Sequence, residues 1–557
     1  MVSARDSDFT IKVCVILSIL SALAISPYWT IEPVNIPKQI GILFTSAISF
    51  ILLTSFRGEL TTRYYRKYIF GAALFITAMF SSSLLNSTYS TSLFGTFGRN
   101  TGILTYCSYA VIFLTIAVAI SFENFSSVYK WVYSFSIVNT LYALMQVTGV
   151  DPVPWDIPYP SKVVGFVGNP NFEASILAIL SAFFLFEILK DNAKMLNRVV
   201  NAVLILLNIF LIQKTQSLQG FIVLITIMLV QISLLPKLQA RKRFYYGFIS
   251  TSFLAGFTFV FGIFGIGPFK ALLESTSLDQ RKIYWRAGIE MFRSNPLLGL
   301  GPDTFGDWYL RYKPLFWKGD FETLTNSSHN LFIDIASGSG IVTTILFIIF
   351  VTSTIRISLR TITFYQNSLP ELKVFYSMVI GYLAQSLVSI NQIALGLVFV
   401  ISSAAVVGIG IKHHSRKETS KGQRLNLRGK KNARSMQVSS RHIIKAYIGV
   451  LLAILICFPQ VTSGVKYRSA LQSGEEMRIY YAALSWPRDP NVMVQIADLF
   501  LLNNRRASAC ELFYLSIVEF PNSISSLRGY LTTECKSSLD SKEIQQHLSM
   551  LTSNINE

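Results

Sequence analysis

Ser328-His329-Asn330 stands directly ahead of Leu331-Phe-Ile-Asp-Ile-Ala-Ser-Gly-Ser-Gly340-Ile-Val-Thr-Thr-Ile-Leu-Phe-Ile-Ile-Phe-Val-Thr-Ser-Thr-Ile355. A helix of about 20 mostly apolar residues crosses the hydrocarbon core of a bilayer, so this run reads as a span entered from a polar segment. That segment, 265–328, is the longest polar interruption in the chain. Working outward, the same criterion marks about thirteen spans, near 10–27, 37–56, 68–86, 102–121, 129–147, 172–189, 197–213, 220–235, 244–264, 331–355, 372–389, 395–411 and 443–460. The fold class is therefore all-α: a polytopic membrane helix bundle of about 12–14 transmembrane helices. Composition agrees, with 51% hydrophobic and 14% charged residues in a chain of 557, where soluble domains carry roughly 25% charged residues.

The net charge of +19 lies between the spans. With the N-terminus inside, the cytoplasmic loops hold Arg57, Arg63, Arg66 and Lys67, then Lys190, Lys194 and Arg198, then Lys237, Arg241, Lys242 and Arg243, then Arg356 and Arg360. This is the positive-inside pattern, and it directs the loop 265–328 outward. The basic run 412–445, including Arg428, Lys430, Lys431 and Arg434, reads as a cytoplasmic linker held near anionic lipid and not as a nucleic-acid site. The first span ends near Ala22-Leu23-Ala24 and is read as an uncleaved helix. Cys510 and Cys535 both fall outside the membrane in this topology, where a disulfide can form.

Within 265–328, Asp279 can cap a helix that runs to about Arg293 and is stopped by Asn295-Pro296. Lys282, Arg286 and Arg293 share one face of it, and Tyr284, Gly288, Met291 and Phe292 share another. Such a helix lies on the membrane with its apolar face down, either binding headgroups or holding an anionic substrate. The glycines of Pro296-Leu-Leu-Gly299-Leu-Gly301-Pro302-Asp303 allow a tight turn. His329 is the candidate base, because an imidazole accepts a proton near neutral pH. Arg99 and Lys214 are cations on the disfavoured outer side, Arg99 reading either as a snorkelling anchor or as an anion contact. In Gly168-Asn169-Pro170-Asn171, a turn leads into a helix start whose free N–H groups can receive an anion. Asp303/Asp307 and Asp320/Glu322 lack the His or Cys company of a transition-metal site.

After the last span, residues 462–557 read as a soluble helical tail. Pro487 and Pro521 set a 34-residue period, and Ile496, Ala497, Phe500, Ala509, Phe513 and Ser516 fall where a tetratricopeptide repeat places its packing residues. Such arrays bind protein partners on a concave face.

His329-Asn330, nine residues, Gly340 and then Thr343 resemble the motif of the O-antigen ligase and O-antigen polymerase superfamily. The stretch 296–305, Arg281 four residues ahead of Trp285, Gly168-Asn-Pro-Asn171 and Arg99-Asn-Thr-Gly102 are similar to further parts of it, so the resemblance covers roughly 90–410. It implies a membrane glycosyltransferase of the multi-helix, glycosyltransferase C-like type, in domain 1–461 with its large outer loop at 265–328. The reaction implied is transfer of a glycan from undecaprenyl diphosphate to a glycan, lipid or protein acceptor, on the outer face of the bacterial cytoplasmic (inner) membrane. It needs no metal or other cofactor and inverts the anomeric carbon by single displacement. Arg281 and His329 would be catalytic, with Arg99, Lys214, Arg286, Asn330 and Asn169 binding substrate. One departure stands out: the family's Thr-x-Ser-Arg turn reads Thr215-Gln216-Ser217-Leu218, so Lys214, Gln219 or Arg99 must supply what the arginine does. The rival readings are a flippase or transporter for a similar anionic lipid, which needs charges buried mid-span, and an assembly platform built around the tail.

Overall fold

The computed structural model describes residues 2–27, 32–86, 88–155, 163–191, 193–263, 265–270, 276–314, 325–422, 438–535 and 539–553. Asp320, Glu322 and the cations 428–434 lie outside these residues, and of the expected cap Asp279 only the backbone is described. No strand occurs among the described residues, and every expected span coincides with one helix. Among the described residues, eight helices are long and apolar enough on their own to cross a membrane. Others, such as Ile103–Ala119 and Leu218–Ser233, are apolar but shorter. The protein is a polytopic helical membrane bundle.

The loops sort onto two faces, and each set is tied together by its own bonds. On one face Asn35 donates to the Gly98 carbonyl (2.6 Å), Lys38 to that of Phe166 (2.7 Å) and Asn330 to that of Leu387 (2.9 Å). On the opposite face Lys190 pairs with Glu371 (3.3 Å), Gln366 donates to Gln239 (3.3 Å) and the Ser439 N–H donates to Asp6 (2.9 Å). Helices of this kind must alternate between faces, because a lipid-exposed irregular backbone has no partner for its polar groups.

The helix Leu331–Phe364 is broken at Gly340, where φ is 73°. Its 34 residues would span about 51 Å if straight. The break frees backbone groups, and the turn 296–301 takes them up. The Leu300 N–H donates to the Ser337 carbonyl (2.8 Å), the Gly301 N–H to Gly338 (2.9 Å), and the Ile341 N–H to Pro296 (2.8 Å). A Cβ at Gly340 would run into the Leu297 carbonyl, and one at Gly299 into the backbone of 338–339. The helix Arg63–Leu85 clamps the same junction, with Ser82 donating to the Gly338 carbonyl (2.9 Å) and Asn86 to that of Gly299 (3.1 Å).

The helix Thr276–Ser294 departs from its expected setting. Tyr284, Ala287 and Met291 are buried against Phe305, Tyr309 and Leu310, so the apolar face rests on protein, not on the membrane. The short helix Phe305–Tyr312 is the sequence-local partner that covers it.

The boundary expected at 461/462 falls inside a continuous helix, Ser440–Ser473. Its far end enters the tail's own core, where Tyr467 and Ala470 pack with Met493, Phe500 and Phe513. The residues placed by the 34-residue period, from Ile496 to Ser516, are buried. Cys510 and Cys535 form a disulfide with Cα atoms 5.5 Å apart. The tail covers the face that carries His329: Trp486 meets Phe94 edge-on at 5.0 Å, and Arg311 donates to the Met550 carbonyl. The disulfide closes a loop of 25 residues, so Cys510→Ser should cost the tail about 3 kcal/mol. A melting curve for the tail unchanged by the substitution would contradict this.

Candidate functional site

Three loop residues near Gly340 adopt left-handed backbone without being glycine: Asn100 (φ 55°), Asp303 (φ 59°) and His329 (φ 56°). Asn, Asp and His tolerate this region best, and residues held there gather at functional sites. Here all three flank one buried cation.

Arg99 is only 7% exposed, and its guanidinium lies 3.1 Å from Asp303 and 3.6 Å from Asp334. It also donates to the Asn326 carbonyl. Burial alone would lower the Arg99 pKa, but the two carboxylates outweigh it and raise the pKa above its ordinary value. Asp303 is pushed up by burial and drawn back by Arg99. Its carboxylate also accepts from the Thr96 N–H (2.9 Å) and the Thr101 hydroxyl (3.3 Å). Asp334 accepts from the Ser327 hydroxyl (2.6 Å) and the Ser328 N–H (2.7 Å). One guanidinium therefore joins three segments: 96–101, the 303 turn, and the 326–334 entrance of the broken helix. Arg99 is thus held by protein carboxylates and is not a snorkelling anchor at the surface, and with Asp303 and Asp334 it lines a small pocket.

His329 is set by the same network. Its backbone N–H donates to the Ser327 hydroxyl (2.9 Å), and its ring stacks on Tyr284 with centroids 5.5 Å apart and planes at 27°. Tyr284 and Arg281 are one turn apart on the helix Thr276–Ser294. Burial, the Arg281 charge and the Arg99 charge push the His329 pKa down to about 4, against a smaller opposing pull from Asp334. The imidazole is thus neutral at physiological pH and can accept a proton. Arg281 is itself lowered by burial, but a guanidinium keeps its proton in proteins.

The other expected residues take separate places. Asn330 caps the broken helix, accepting from the Phe332 (3.0 Å) and Ile333 (3.2 Å) N–H groups. Arg286 is exposed on the outer side of the Arg281 helix. Asn169 caps Pro170–Leu189, accepting from the Asn171 N–H at 2.9 Å. Lys214 is exposed at the end of a neighbouring helix, its ammonium 5.3 Å from the Phe210 ring centre. The structure therefore gathers His329, Arg281, Tyr284, Arg99, Asp303 and Asp334, and sets Asn169 and Lys214 on adjoining helix ends of the same face.

Tyr284 and Asp334 are the partners that sequence reasoning missed. Asp334 carried a signal: it is the one acidic residue in 331–355, and a charge inside an apolar run needs a partner. Tyr284 carried none, because an aromatic on a helix's apolar face ordinarily reads as core.

Residues 200–348 match the family model described as O-antigen ligase. The match takes in Lys214, the Arg281 helix, the 296–301 turn, His329 and Gly340, and leaves Arg99, Asn169 and the tail outside it. Nothing among the curated proteins matches the chain. The resemblance read from His329 to Thr343 thus has a counterpart in a family-model match over residues 200–348, within which that motif lies.

Removing Arg99 strands the buried Asp303 carboxylate and the partly buried one of Asp334. Arg99→Met should lower stability by about 3–5 kcal/mol, and adding Asp303→Asn should recover part of it. Equal melting temperatures in detergent for Arg99→Met and the parent would contradict the network. For His329, the unfolded chain binds a proton near 6.5 and the folded chain only near 4. Its contribution to stability is therefore full above pH 6.5 and is lost as pH falls toward 4. His329→Gln should flatten the stability profile across that window, as followed by melting at several pH values.

Proposed function

We propose that the protein transfers a glycan from a polyprenyl diphosphate, of the undecaprenyl type, to an acceptor hydroxyl at the outer face of the bacterial inner membrane. The observation that carries this reading is a neutral, ring-stacked His329 held beside the Arg281 cation. Arg281 suits a diphosphate because its planar fork makes paired bonds to phosphate oxygens. It would hold the donor and stabilise the charge that builds on the leaving diphosphate. His329 would accept the proton of the attacking hydroxyl. A single displacement of this kind inverts the anomeric carbon and needs no metal.

Arg99 then acts as a positioning residue, since its guanidinium is taken by Asp303 and Asp334. Gln219 donates to Ser175 at 2.7 Å. Of the three candidates for the absent arginine after Ser217, Lys214 is the exposed one. Lys214 and Arg286 are accordingly assigned to the donor's outer phosphate or sugar, and Asn169 to the helix end that receives it. Asn330 serves by fixing the entrance of the broken helix. The outward direction of this face rests on the cation-rich loops opposite it and on the Cys510–Cys535 bridge, which suits an oxidising compartment. The tail, read as tetratricopeptide-like, is assigned a protein partner.

A flippase needs charges facing a passage at the bilayer midplane. The charged cluster described here gathers instead at the entrance of the broken helix, which favours surface chemistry.

Purified protein in liposomes, given a polyprenyl-diphosphate glycan and acceptor, should form product. His329→Ala should slow it by about 10²–10⁴-fold, and Arg281→Ala should slow it as severely, with each variant inserted at the parent's level. Transfer at the parent's rate in both variants would overturn the assignment.

A further inference from the structure

A second feature lies at the other end of the same helices. A cavity of about 520 Å³ runs between Arg63–Leu85, Ile103–Ala119 and the lower part of Leu331–Phe364. That volume is in the range of cavities that bury whole small-molecule ligands. Along Arg63–Leu85 its wall extends from Tyr64 to Ile76, about 18 Å at the rise of an α-helix. Aromatic rings form much of the lining, with Phe350 edge-on to Phe113 at 5.2 Å and to Tyr68 at 6.4 Å. A Cβ built on Gly71, in the same wall, meets nothing within 4 Å.

The cavity is not apolar throughout. Lys67, Arg356 and Arg360 line it at the helix ends opposite His329, and all three are exposed. Among the described residues none of the three forms an ion pair. Deeper in, the buried hydroxyl of Tyr68 has no hydrogen-bond partner among the described residues. Cations on this face are ordinary by themselves. What distinguishes these is that they line the mouth of an aromatic cavity long enough for an acyl chain.

We infer that this cavity binds an anionic diacyl phospholipid from the leaflet opposite His329, with its phosphate at Lys67, Arg356 and Arg360 and a chain along Tyr68 and Phe350. Charge complementarity selects the occupant. A polyprenyl donor whose diphosphate lay at Arg281 would place its charge at the other end, leaving these three cations unused. The lipid packs against Arg63–Leu85, the helix that carries Ser82 and Asn86, which clamp the junction at Gly338 and Gly299. The inference stands independently of the proposed reaction.

The test uses the full chain, reconstituted in nanodiscs of equal phosphatidylglycerol and phosphatidylcholine, released in mild detergent and weighed by native mass spectrometry. The parent should retain one phosphatidylglycerol in preference to phosphatidylcholine. The triple variant Lys67→Gln, Arg356→Gln, Arg360→Gln should retain it about a hundredfold more weakly, at roughly 1 kcal/mol for each cation near a lipid surface. Gly71→Trp should exclude it by filling the space. Should the triple variant fail to fold, Gly71→Trp decides the matter alone. Equal retention of the two lipids by the parent overturns the inference. So does retention unchanged in either variant, or recovery of a polyprenyl phosphate from cell membranes in place of the phospholipid.

Discussion

The structure depends on one exchange of backbone hydrogen bonds. A span broken at Gly340 leaves N–H and C=O groups without helical partners, which is costly wherever water is excluded. The turn 296–301 supplies those partners at Ser337, Gly338 and Ile341, and it can approach so closely because Gly299 and Gly340 have no side chains to collide. The polar segment and the span are thereby one unit. The Arg281 helix ends where the turn begins, and His329 stands where the broken helix begins. Fixing the junction fixes the cation and the imidazole relative to each other.

Buried charge completes that geometry. Arg99 with Asp303 and Asp334 is a net-negative triad enclosed by protein, and such groups carry little net stability unless every lone pair and proton is used. Here the carboxylates take additional bonds from Thr96, Thr101, Ser327 and the Ser328 N–H, while the Arg99 Nε–H has no partner among the described residues. The return is register: three loops distant in sequence meet in one arrangement. Burial first, and then the Arg281 charge, suppress protonation of His329, with Asp334 pulling the other way. An imidazole kept neutral beside a cation is the combination that the proposed transfer from a diphosphate calls for.

Much of this was legible from the chain alone, for definite physical reasons. Hydropathy reports burial in lipid directly, so each apolar run became a helix, and alternating cationic loops sorted the two faces. The spacing from His329 to Gly340 pointed to the family. Tertiary choices were hidden. That Arg99 would be consumed by Asp303, across 204 positions of sequence, is a long-range pairing that no local pattern encodes. The amphipathic face of the Arg281 helix was read correctly as a face but assigned to the membrane, because sequence cannot tell lipid from the Phe305–Tyr312 helix as its cover. At the expected tail boundary Ser440–Ser473 stays helical as its surroundings change from apolar to polar, because composition marks that change, not the end of the helix.

The central claim is that a lipid diphosphate sits between Arg281 and His329, on the face closed by the tail. A structure of the full chain in a nanodisc with a non-hydrolysable polyprenyl-diphosphate glycan, determined by electron cryomicroscopy, tests it most directly. The account predicts phosphate oxygens within about 3 Å of the Arg281 guanidinium, with the His329 imidazole facing the anomeric carbon's open side. A diphosphate bound at Lys67, Arg356 and Arg360, or anywhere out of reach of Arg281, would contradict it.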